Sequence, residues 1–139
     1  MNVVLLEVSH WHTPLYLDAL ERLADVTVTA VSDATGTRGA ALAERFGARL
    51  FDDWQTLLQD QPADFAFAFG PHDELHAMGK TLIERRIPFA MEKPCGLTRQ
   101  EVLELQRLAE AVDLFVAVPL IWRHSELLSR LKSAALHTG

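Results

Sequence analysis

The chain has 139 residues, 49% of them apolar and 23% charged, which is enough for one domain with its own core. A formal net charge of −6 argues against nonspecific nucleic-acid binding, which needs clustered lysine and arginine. The single cysteine, Cys95, rules out an internal disulfide and suggests a reducing, cytoplasmic setting.

Residues 3–8 form an apolar run broken only by Glu7 and read as the first strand. No basic residue precedes that run, which argues against a signal peptide. Residues 15–23 have helical spacing, and residues 26–31 read as a β-branched strand. Residues 40–46 are helical and stop at Gly47. Residues 49–51 suggest a short strand and 53–59 a short helix. Residues 64–69 read as a strand, because Phe-Ala-Phe-Ala-Phe within them alternates large and small apolar side chains. A helix over 74–86, a strand over 87–91, a helix over 99–112, a sixth strand over 114–118 and a final amphipathic helix over 125–136 follow. The longest apolar run, 114–122, contains Pro119 and is far too short to cross a bilayer, so no membrane partner is expected.

Strands alternating with helices predict an α/β fold, a doubly wound and mostly parallel six-stranded sheet with helices on both faces, Rossmann-like, in the order 3-2-1-4-5-6. Near-continuous apolar strands agree, because parallel strands are buried on both sides. No repeat, low-complexity segment or linker divides the chain, so residues 1–139 are expected to form one domain.

In this fold the first turn ordinarily carries Gly-x-Gly-x-x-Gly, so that the backbone can approach a pyrophosphate. Here Glu7, Ser9 and His12 stand at the three glycine positions. A carboxylate at Glu7 repels pyrophosphate unless it turns away. Ser9, His10, His12 and Thr13 can still donate hydrogen bonds to an anion at the helix start, with Trp11 as a shield beside it. The simpler alternative is that Ser9 and Thr13 only cap the first helix. Asp33, at the end of the second strand, is placed either to hold a ribose 2′-hydroxyl, which favours NAD, or to serve as an ordinary turn aspartate. Arg38 keeps a 2′-phosphate, and so NADP, in play.

The loop after the fourth strand, Gly70-Pro71-His72-Asp73-Glu74-Leu75-His76, is expected to face the first turn across the switch point. His10, His12, His72 and His76 could then gather into a metal site, although lining of a polar cleft is the commoner use of such residues. After the fifth strand comes Glu92-Lys93-Pro94-Cys95-Gly96-Leu97-Thr98. A lysine at the carboxyl end of a buried parallel strand sits where ligands bind in open α/β sheets. Pro94 restricts Lys93 to extended geometry, and Glu92 pairs either with Lys93 or with a neighbouring segment. Cys95 would need an activating base to act as a nucleophile, and no partner is evident. Trp54 and Trp122 are expected to pack a core or interface, and Met78 and Met91 to fill the core.

Together these segments resemble the N-terminal domain of the Gfo/Idh/MocA oxidoreductases over nearly the whole chain. The most specific element is Glu92-Lys93-Pro94. Gly70-Pro71 through His76 looks like that family's Pro-Asn-x-x-His loop, with one extra residue and His72 where asparagine is usual. Residues 84–88 resemble its approach to the fifth strand without the glycine, and 114–123 its sixth strand and following arginine. The resemblance implies an NAD(P)-dependent dehydrogenase that moves hydride to or from a hydroxyl of a sugar, polyol or similar small molecule. It implies that Lys93 is catalytic, beside the nicotinamide and the substrate hydroxyl. Cofactor contacts then fall to Ser9, His10, Trp11, His12, Thr13, Asp33, Gly70, Pro71, His76, Glu92 and Lys93, with no metal ligand assigned. It also implies a second, substrate-holding domain that these residues do not include, so the chain alone is expected to be a poor catalyst. The final helix, left without a neighbour, would favour a homo-oligomer such as a dimer. Two rivals stand beside this reading: a non-catalytic relative that senses a ligand or acts as a scaffold, and a histidine-based metal enzyme.

Overall fold

The computed structural model describes residues 1–120 and 125–136. Six strands, β1 (Asn2–Leu6), β2 (Thr27–Ser32), β3 (Arg49–Phe51), β4 (Phe65–Ala68), β5 (Phe89–Met91) and β6 (Val116–Ala117), form one sheet in the order β3-β2-β1-β4-β5-β6. Every neighbouring pair is parallel. The helices are α1 (Pro14–Arg22), α2 (Gly39–Phe46), α3 (Trp54–Asp60), α4 (His72–Glu84), α5 (Arg99–Ala111) and α6 (Glu126–Leu136). The doubly wound parallel sheet and its strand order are therefore as the sequence predicts.

The period-two geometry of β1 explains why it lies in the middle. Val4 and Leu6 enter one core with Trp54, Leu57, Leu75, Met78, Leu82, Phe89, Met91 and Leu105. Val3 and Leu5 enter the other, with Leu17, Leu20, Val28, Val31, Leu42 and Phe69. A strand apolar on both faces is stable only where helices cover both, and each fully buried leucine or valine contributes about 1.5–3 kcal/mol. On α4, Leu75, Met78 and Leu82 lie on one buried stripe at helical spacing. Trp54, Met78 and Met91 are buried, as expected of core residues. Trp122 and Arg123 lie outside the described residues.

Local chemistry sets the boundaries nearest the sheet's carboxyl edge. Helix α4 begins at His72, two residues earlier than the sequence pattern suggests, because Pro71 sits at its N-cap and Asp73 and Glu74 complement the first-turn dipole. Helix α5 begins with a capping box, in which Thr98 accepts from the Glu101 N–H and the Glu101 side chain bonds back to the cap. β6 is shorter than residues 114–118, since it is an edge strand paired only with β5 and is followed by Pro119. Among the described residues no helix is long and apolar enough to cross a membrane.

Candidate active site at the carboxyl edge of the sheet

β1, β4 and β5 end side by side, so the segments that follow them meet. Phe69 N–H donates to Leu6 O at 2.9 Å, and Glu92 N–H donates to Ala68 O at 2.9 Å. The first turn, the loop at Gly70-Pro71 and the Glu92-Lys93-Pro94 segment are thereby fixed as neighbours.

Glu7 leaves β1 with φ 55°, the left-handed conformation that glycine usually provides at this turn. A buried network holds it there. Ser32 accepts from the Glu7 N–H at 3.0 Å and returns its hydroxyl proton to Oε1 at 3.0 Å. Ala34 N–H donates to Oε2 at 2.8 Å. The carboxylate is thus turned toward the end of β2. Burial pushes its pKa up, against the Ala34 and Ser32 hydrogen bonds and with help from the Glu74 and Asp33 charges. Glu7 and Glu74 still line a cavity of about 340 Å³ with Ser9, His10, Thr35, Gly70 and Pro71. A Cβ on Gly70 would meet the end of the Met78 side chain, so a larger residue here requires Met78 to shift.

Asp33 is buried and clamps its own loop. Oδ1 accepts from the Thr35 N–H and hydroxyl, and Oδ2 from the Arg38 and Gly39 N–H groups at 2.8 and 2.7 Å. Burial alone would raise its pKa, but the donors from Arg38, Ser9, Gly39 and Thr35 outweigh it and hold the carboxyl at about 2, below its ordinary 3.8. A depressed carboxylate pKa adds stability above the unfolded value and loses it as pH falls through the folded one. Asp33→Asn is therefore expected to be less stable than the wild type by about 2 kcal/mol near neutral pH. The gap should close as pH falls from 3.8 toward 2. Urea midpoints measured across that range check this, and a gap that stays constant would contradict it.

The simpler capping alternative for the first helix does not hold. Thr13 is the N-cap of α1 but has helical backbone angles and makes no side-chain cap bond, and its buried hydroxyl has no partner among the described residues. Ser9 bonds instead to the Thr37 hydroxyl, tying the first turn to the loop after β2.

Glu92 is the hub of the site, 3% exposed at the end of β5. Its Oε2 meets His12 Nδ1 at 2.8 Å, its Oε1 accepts from the Tyr16 hydroxyl at 2.7 Å, and the Lys93 N–H donates to Oε2 at 3.2 Å. Burial would raise its pKa, but the Tyr16, His12 and Lys93 contacts prevail and keep it below the usual carboxylate range. The neighbouring-segment alternative for Glu92 is thus the one realised. Lys93 points the other way. It is exposed, with Nζ 5.8 Å from the centroid of the Trp11 ring. Trp11, His12, Leu15, Tyr16, Glu92, Lys93, Pro119 and Leu120 line a cleft of about 330 Å³.

Three of the four histidines gather at this edge. The rings of His10 and His12 are 5.1 Å apart, and those of His10 and His72 are 6.0 Å apart. His76 does not join them, because its Nε2 lies 3.1 Å from Glu104 on α5, where Lys80 shares the same carboxylate. Cys95 packs against the core, and burial pushes its thiol up, away from nucleophilic thiolate character. Tyr16 was not singled out from sequence, yet it lies one helical turn after His12, a spacing that places both near one acceptor.

The profile of the oxidoreductase family with an NAD-binding Rossmann fold, Gfo/Idh/MocA, matches residues 9–119. The chain belongs to this family. No curated protein matches it in sequence. Solved structures share the Gfo/Idh/MocA domain fold at low identity. An oxidoreductase from Agrobacterium radiobacter, in complex with NAD+, L-tartaric acid and magnesium, is 18% identical with a TM-score of 0.78 over 85% of this chain and 34% of its own. A UDP-N-acetylglucosamine 3-dehydrogenase from Acidithiobacillus ferrooxidans is 23% identical, with a TM-score of 0.75 over 96% of this chain and 43% of its own. A myo-inositol 2-dehydrogenase from Lactobacillus plantarum is 13% identical, with a TM-score of 0.84 over 99% of this chain and 41% of its own. The chain therefore spans well under half the length of these proteins. Its Gfo/Idh/MocA cofactor domain carries an unusual first turn, in which glutamate, serine and histidine replace the glycines.

Proposed function

We propose that this chain is the cofactor domain of an NAD(P)-dependent dehydrogenase that transfers hydride to or from a hydroxyl of a sugar, polyol or similar small molecule. The observation that carries the reading is Lys93, exposed at the end of β5 and facing Trp11 across a cleft beside the first turn. An ammonium there can orient a hydroxyl and stabilise the alkoxide charge that develops during hydride transfer. The nicotinamide would lie over Lys93 and Trp11. The adenosine half would lie in the cavity bounded by Ser9, His10, Gly70 and Pro71. When bound, the dinucleotide supplies the hydride acceptor or donor, while the protein orients the substrate.

Hydrogen bonds from Thr35, Arg38 and Gly39 occupy both oxygens of Asp33, so it would serve the ribose by shaping the loop rather than through its own oxygens. Arg38, whose Nη1 donates to His10 O, stands beside that loop and could receive a 2′-phosphate, which keeps NADP within the proposal. His12 and Glu92 would then act by fixing the first turn, and His76 would act from α4, where Glu104 holds its ring. A homo-oligomer in the cytoplasm belongs to the same proposal, with the exposed Leu128 on α6 as its contact.

The test is a set of sugars and polyols offered with NAD+ to the full-length protein, read as NADH formation. Reduction of NAD+ by at least one of them is expected. A full-length protein that binds NADH yet oxidises none of them would favour the non-catalytic reading, which the acidic Glu7 and Glu74 lining supports.

A further inference from the structure

We propose that His10, His12 and Glu92 form a binding site for one transition-metal dication of the zinc type. One donor atom from each of the three lies within 4.8 Å of the others. Ligands on a tetrahedral zinc stand about 3.3 Å apart, so closure needs His10 to rotate inward and the ion to replace the proton shared by His12 Nδ1 and Glu92 Oε2. His10 is partly exposed and can make that movement. Two imidazoles and a carboxylate suit zinc, cobalt or nickel, whereas magnesium and calcium prefer oxygen alone.

A purely structural role accounts for only part of the cluster. His12, Tyr16 and the Lys93 N–H already satisfy Glu92, so the carboxylate does not need His10. The single hydrogen bond to the His10 ring is a long one, 3.3 Å from the His12 N–H to Nδ1, and the other ring nitrogen has no hydrogen-bond partner among the described residues. The Tyr16 hydroxyl orients the Glu92 carboxylate from behind, as outer partners do for metal-binding carboxylates. His72, with its ring 6.0 Å from that of His10, can supply a fourth donor or leave that position to water. The opposing cations are Lys93, over Trp11, and Arg38, on the His10 carbonyl. The site differs from a four-histidine arrangement in that Glu92 takes the place of His76.

The tag-free chain, stripped with chelator, would be titrated with Co2+ and separately with Zn2+, followed by visible absorption and calorimetry. One equivalent is expected to bind with a Kd of about 1 µM or tighter, giving the absorption of tetrahedral cobalt. His10→Ala and Glu92→Gln should each weaken binding about tenfold or more, and His76→Ala should leave it unchanged. Binding weaker than about 1 mM overturns the site. So does unchanged affinity in either ligand variant, or weakened affinity in His76→Ala. Circular dichroism checks folding, and if Glu92→Gln does not fold, the partly exposed His10 decides. The same metal-free protein is titrated with NADH, so loss of the metal site and loss of the dinucleotide reading are scored separately.

Discussion

Lys93→Ala in the full-length protein is expected to lower turnover about a hundredfold or more, the scale on which a single preorganised charge at a developing oxyanion acts. The fold should survive, since Lys93 is exposed and its ammonium contacts only the Trp11 ring among the described residues. Circular dichroism and the thermal midpoint should stay close to the wild type, because an exposed cation–π contact is worth only about 0.5–1 kcal/mol. The split between kcat and KM adds a second check. A residue that stabilises charge in the transition state lowers kcat, whereas one that only holds the substrate raises KM. Unchanged turnover would remove Lys93 from the chemistry.

Glu92→Ala should act on stability instead. It leaves the Tyr16 hydroxyl and the His12 ring without their acceptor in a buried setting, at a cost of about 2–4 kcal/mol. The chain's single tyrosine makes the effect directly readable. Burial and the bond to Glu92 hold the Tyr16 phenol well above its ordinary 10.0, so in Glu92→Ala its alkaline titration should move back toward that value. Tyr16→Phe, which deletes one partner and leaves the His12 pair, should cost less than Glu92→Ala. Urea unfolding checks both. A loss below about 0.5 kcal/mol for Glu92→Ala would mean that the hub does not stabilise the site.

The sheet was legible in the sequence for a simple physical reason. Val3, Val4, Leu5 and Leu6 are apolar on both faces of a strand, and only a parallel sheet covered twice by helices buries such a run. The position of Lys93 at the carboxyl edge of the sheet was legible too, because the apolar run just before it reads as a buried strand. The wiring of the site was not. Glu7 adopts the conformation of the missing glycine because Ser32 and Ala34, 25 and 27 residues later, hold its carboxylate. No local pattern records a contact of that range. Glu92 meets His12 across 80 residues, joining the turns after β5 and β1. His76 lies one helical turn from His72, yet the packing of α4 against α5 brings it to Glu104 instead. Asp33 looked like a ligand residue or a turn residue from sequence, and its four donors show a clamp for the start of α2.

A first turn built on Glu7, Ser9 and His12 is proposed still to hold a dinucleotide. Titration of the chain with NADH and NADPH, followed by tryptophan fluorescence and thermal stabilisation, tests it most directly, because Trp11 borders the cleft. Saturable quenching with a matching rise in thermal midpoint, lost from the fluorescence signal in Trp11→Phe, is the predicted result. Absence of both signals up to about 1 mM of either dinucleotide, weaker than about −4 kcal/mol of binding, would contradict it.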